Sequence, residues 1–149
     1  MRSCPHCKKP IGHGRSGDDH RRLFALFNAA HHHWPERHPF QPDDVEHLRA
    51  WLLCKVAFRT VTHIDVPSSE PAIIKLAMLA AEGAVKAAKG HAFFKLENGA
   101  IAVATPKSLA FDKCDQKTFG LVREAVEQQL KFETGIDPEM MLREFERAA

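Results

Sequence analysis

The apolar positions of the chain alternate between helical and strand periods. Leu23, Phe27, Ala30 and Trp34 stand at i, i+4, i+7 and i+11, one face of a helix. Phe24 and His31 widen that stripe to the width a core-facing helix needs. Ser16 and Asp18 suit an N-cap, and Asp18 and Asp19 suit the positive start of a helix. Pro35 excludes the α conformation at Trp34, so the helix is predicted to end there. A proline-containing loop, Pro35 to Pro42, follows.

Asp43 and Asp44 open a second predicted helix, with Asp43 and Glu46 spaced as a capping box. Val45, Leu48, Leu52, Val56 and Arg59 share its face, flanked by Trp51 and Cys54. Thr60 to Val66 alternates and is rich in β-branched residues, which predicts a short strand. Ser68 to Pro71 reads as a helix start, with proline in the first turn. The helix it opens runs to Ala88, is apolar nearly all round, and is expected at the centre of the domain or in an oligomer interface. Gly90 stops it. Phe93 to Leu96 and Ala100 to Ala104 flank Asn98-Gly99, the strongest hairpin signal in the chain. Ser108 to Phe111 reads as a further strand. Asp115 caps a helix carrying Phe119, Val122, Val126 and Leu130, and Gly135 ends it. Asp137-Pro138-Glu139 starts a last helix with Met141, Leu142 and Phe145. The fold class expected is α+β, mostly helical, with a small antiparallel sheet.

Composition adds limits. With 149 residues, the chain can bury a core without staples. The apolar stretch Ala72 to Ala88 is broken by Lys75, Glu82 and Lys86, so no membrane partner is expected. The start of the chain lacks the charged-then-apolar pattern of a secretory signal, and the reading is a cytoplasmic protein. In that setting Cys4-Pro5-His6-Cys7 points to metal rather than to a disulfide. A C-x-x-C turn presents two thiolates, and zinc wants four ligands. His13 and His20 complete the expected zinc site with Cys4 and Cys7, and His6 competes. The organisation expected is thus a zinc knuckle over residues 1–14, followed by one α+β domain over 15–149. Cys54, within a helical pattern, reads as a small buried hydrophobe.

A net charge of +2 does not announce nucleic-acid binding, but its distribution matters. Lys8, Lys9, Arg15, Arg21 and Arg22 cluster early, while acidic residues gather at Asp43 to Glu46 and from Glu124 onward. The early cluster is the expected phosphate-contacting surface.

The run His20-Arg21-Arg22-Leu23-Phe24-Ala25-Leu26-Phe27-Asn28, with Trp34 downstream, resembles a phage- and prophage-encoded domain family of uncharacterised function. Lys107-Ser108-Leu109-Ala110-Phe111, with Asp115 and Phe119, resembles that family's C-terminal pattern. More distantly, Arg15-Ser16 followed by His20-Arg21 is similar to a stretch of the phage Orf (NinB) recombination mediators. That resemblance implies a small α+β homodimer that binds single-stranded DNA and assists recombinase loading. The expected partners are therefore single-stranded DNA, a recombinase or single-strand-binding protein, and a second copy of the chain.

An enzyme is the less favoured expectation, and no catalytic residue is assigned. Walker, Rossmann, G-x-S-x-G and H-E-x-x-H patterns are lacking. A histidine-metal nuclease would draw on His31, His32, His33 and His38, with His47 or with His63 and Asp65. Consecutive helical residues point about 100° apart, so at most two of the three adjacent histidines could share a metal. The leading reading is a nucleic-acid-binding accessory protein of recombination or replication. The alternative is a protein-interaction module that engages a host or phage factor.

Overall fold

A computed structural model describes residues 17–66, 69–88, 90–110 and 113–148. The expected zinc knuckle, with Cys4, Cys7 and His13, lies outside the described residues, as do Lys8, Lys9 and Arg15. The chain divides into two compact units. One joins Met1–Leu48 to Ser108–Ala149; the other is the continuous stretch Arg49–Lys107.

The discontinuous unit is built from helices. α1 (Gly17–His32) buries Leu23, Phe27 and Ala30 as its periodicity predicts, and also Leu26 and Ala29. Trp34 follows α1 and donates its indole N–H to the Phe40 carbonyl at 2.8 Å, tying the proline loop back on itself. α4 (Gln116–Thr134) buries Phe119, Val122, Val126 and Leu130, the stripe expected from i, i+3, i+7 and i+11. Its start is fixed by Asp115, whose carboxylate accepts from the Thr118 backbone N–H at 2.7 Å. Gly135 ends it in the left-handed region, φ 70°. α5 (Pro138–Ala148) packs against α1 and α4, burying Met141 and Leu142.

α2 (Val45–Lys55) starts one residue away from the expected capping box. Asp44, not Asp43, accepts from the His47 backbone N–H at 2.8 Å, while the Asp43 N–H donates to His47 Nδ1 at 3.0 Å. His47 therefore fills the reciprocal role expected of Glu46. α2 ends on Ala57 at φ 65°, with Phe58 N–H donating to the Leu53 carbonyl and Ala57 N–H to that of Cys54. That pair of bonds is a Schellman motif with alanine where glycine is usual.

The continuous unit holds a three-stranded antiparallel sheet in the order β1-β3-β2. Its strands are β1 (Arg59–Asp65), β2 (Phe93–Glu97) and β3 (Ala100–Pro106). Asn98 and Gly99, at φ 50° and 78°, form the two-residue turn that brings Glu97 opposite Ala100. The central strand is β3, and it buries Ile101 and Ala102. Ile101 sits between Ile64 and Leu96, both about half exposed. Over its described part, residues 108–110, the expected strand is not formed, and β3 takes β1 as its other neighbour. Beyond Pro106 the Lys107 N–H still donates to the Phe58 carbonyl at 3.1 Å, one last bond past the paired strands.

α3 (Pro71–Ala87) begins with proline at its first positions and Glu70 as its N-cap. It is not the centre of a domain. None of its residues is buried, and Ile73, Leu76 and Leu79 are among the exposed large hydrophobics.

Candidate interaction surface

The start of α1 gathers the described part of the expected basic patch. Arg21 pairs with Asp18 one turn earlier, and Arg22 pairs with Glu139 of α5. Both guanidinium groups thus already face a carboxylate. Over residues 17–22 the two arginines are balanced by Asp18 and Asp19. Asp19 also accepts from the Gln116 side-chain amide at 3.3 Å, joining α1 to the first turn of α4. His20 stacks on Phe24 at 4.5 Å between ring centroids and on Phe119 at 6.1 Å. This zinc candidate is therefore a packed residue of α1.

The remaining histidines are distributed rather than convergent. His32 meets His33 edge to face and contacts the ring of Phe145. His38 hydrogen bonds through Nε2 to Glu133 of α4, and the two side chains are 11% and 12% exposed. Its Nδ1 lies 3.0 Å from the Phe40 backbone N and 3.2 Å from the Phe40 carbonyl, so both ring nitrogens are engaged. Gln129 donates to the other Glu133 oxygen at 2.7 Å. The result is a largely buried polar clasp holding the proline loop on α4. His47 caps α2, and His63 lies 3.5 Å from Glu97 on one face of the sheet. Among the described residues, no three His, Cys, Asp or Glu side chains come together as a metal-holding group. Cys54 is buried, and burial pushes its thiol pKa up, with the Arg59 guanidinium opposing. A thiol kept protonated in that way is a poor nucleophile.

α3 carries three exposed large hydrophobic residues, Ile73, Leu76 and Leu79, more than any other described element. Leu76 is 66% exposed and Leu79 54%. Ala72, Leu76, Leu79 and Gly83 fall at i, i+4, i+7 and i+11, and all four are exposed. The opposite side of the helix, through Ile74, Ala77, Met78, Ala81 and Val85, is partly covered. A Cβ added at Gly83 would meet nothing within 4 Å, so the outward face is open there.

Comparison with protein-family models, with curated proteins and with solved structures returns no match.

What these arrangements can do differs. The arginines of α1 hold carboxylates, and the His38–Glu133 clasp fixes a loop. α3 can bind an apolar surface. No described helix is long and apolar enough to cross a membrane. Sequence reasoning marks the apolarity of α3 but not its exposure, which depends on what the rest of the chain leaves uncovered. It does not foresee the pairings of Glu133 and Glu139, because their partners are 95 and 117 residues away.

Proposed function

We propose that this chain is a protein-interaction module whose contact surface is the outward face of α3. One observation carries the reading: a 17-residue helix of high apolar content has no buried residue. Contiguous apolar surface left in water is costly, and where it occurs it marks an interaction site. Leu76→Glu/Leu79→Glu tests it, because both side chains are exposed and the change leaves the core intact. The immobilised wild-type chain is expected to retain a protein in stoichiometric amount, be it another copy or a different chain, and the double variant to lose it. Retention of the same proteins by both would remove α3 as the contact surface.

A second reading is a nucleic-acid-binding accessory protein, acting on single-stranded DNA with a recombinase or single-strand-binding partner. Its support among the described residues is Arg21, whose side chain is 77% exposed beside an equally exposed Asp18. A phosphate would have to displace that carboxylate, and Lys8, Lys9, Arg15 and Arg22 would supply the rest of the charge. The zinc knuckle belongs to this reading, with Cys4, Cys7, His13 and His20 as ligands. Ring stacking engages the faces of the His20 imidazole, whereas a metal takes an in-plane nitrogen, so the two roles are compatible. Elemental analysis giving about one zinc per chain, lost on Cys4→Ser, would support the knuckle.

A further inference from the structure

The occupant of α3 can be read from the order of residues along its exposed face. This rests on the interaction-module reading. We propose that α3 pairs with α3 of a second copy, antiparallel, about a two-fold axis that crosses the outward face midway between Leu76 and Leu79. The apolar stripe is Ala72, Leu76, Leu79 and Gly83. Turned end for end about its middle, it is complementary to itself. Leu76 of one copy meets Leu79 of the other, twice, at the centre. Ala72 meets Gly83, twice, at the two outer layers. Large residues thus meet where the helices need filling, and small ones meet where backbones can approach closely.

The charges give a second and independent match. Lys75 and Glu82 each precede a stripe residue by one position, so both lie on the same flank of the stripe. Neither has an ionic partner among the described residues. They are seven residues apart, about 10.5 Å along the helix, too far to pair within one helix. In an antiparallel pair the same flanks of the two helices face each other. Lys75 then stands across from Glu82 of the second copy, and Glu82 from its Lys75. Further out, Lys86 of one helix comes to the start of the other, near Glu70. A parallel pair would leave Lys75 and Glu82 opposite Ala80 and Ala87, without charge partners. Antiparallel dipoles also attract where parallel ones repel.

Size sets the strength. A 17-residue helix is about 25 Å long. A single helix pair of that length is a small contact beside the ~800 Å² per partner of a standard interface, so a weak, concentration-dependent dimer is expected.

Sedimentation equilibrium on the full chain, over about 1 to 200 µM, reads this out. The expected result is a reversible rise from the 16.7 kDa monomer toward twice that mass. Leu76→Glu should stay monomeric with unchanged helix content. Lys75→Glu places two acidic flanks together, Glu82→Lys two basic ones, and each should weaken the dimer about tenfold. The doubly swapped Lys75→Glu/Glu82→Lys chain should regain wild-type affinity. An equimolar mixture of the two single variants should form a heterodimer tighter than either homodimer. A wild-type monomer at every concentration overturns the pairing. So does a swapped chain as weak as the singles, or a dimer that Leu76→Glu leaves intact. Retention of a different protein through α3, in the capture experiment above, would keep the interaction-module reading even where the pairing fails.

Discussion

Ala57 holds φ at 65° with its side chain exposed, and its two backbone bonds close α2. An L-residue with a Cβ pays about 1–2 kcal/mol there, whereas glycine pays about 0.5–1 kcal/mol in unfolded-chain entropy instead. Ala57→Gly should therefore stabilise the fold by about 0.5–1 kcal/mol, with a Tm higher by roughly 2 °C. A lower Tm would mean that the methyl group makes a contact outweighing the strain. The same scale explains which sites were legible. Asn98-Gly99 and Gly135 announce themselves because a positive φ selects residue types locally. Ala57 does not, because nothing in its identity betrays a left-handed backbone. The capping of α2 slipped by one residue for a related reason: His47 accepts from the Asp43 N–H as a glutamate would, and histidine is not the expected partner.

At the scale of elements, α4 was readable from end to end. Its cap, its buried stripe and its stop are set by neighbours within a few turns. Asp115 makes a measurable contribution. The Thr118 backbone N–H and hydroxyl hold its carboxyl below the ordinary value of 3.8, with Lys117 adding to the shift. A carboxyl depressed in the folded state contributes stability that is present above its unfolded value and lost as pH falls through its folded one. Asp115→Asn keeps an acceptor but not the charge. The variant should melt below wild type at neutral pH, and the gap should close as the pH is taken below 3.8. A gap that stays constant or widens on acidification would rule out the charged cap. β1 and α3 were only half legible. Their periods gave strand and helix, but which strand lies beside β3, and what covers α3, are decided by non-local contacts that no window of sequence contains.

For the whole molecule, the question is whether the early basic cluster acts as one surface. Each ion-paired arginine must exchange a carboxylate for a phosphate, so it releases little net counterion on binding. Arg22 and Glu139, at 39% and 59% side-chain exposure, form a surface pair of the kind worth up to about 1 kcal/mol. Binding of single-stranded oligonucleotides is therefore expected to be weak, with a slope of log K against log salt shallower than about −1.4, the value for two phosphates. A slope near −3, from four or more phosphates, would show Lys8, Lys9 and Arg15 acting with α1 and would bring the nucleic-acid reading forward.

The division of the chain also has a consequence in time. The helical unit is written in two instalments, Met1–Leu48 and Ser108–Ala149, and α1 finds α5 only across that gap. During synthesis at about 5–20 residues per second, the roughly sixty residues of the interruption keep α1 waiting several seconds for α4 and α5. Leu23, Leu26 and Phe27, buried in the folded unit, lack α5 as a packing partner for that interval. The inserted stretch, by contrast, is continuous in sequence, and its hairpin closes on its own two-residue turn. The nascent chain is thus most exposed to holdase capture and to misassociation while its second half is being made, and a pause in translation there would lengthen the danger.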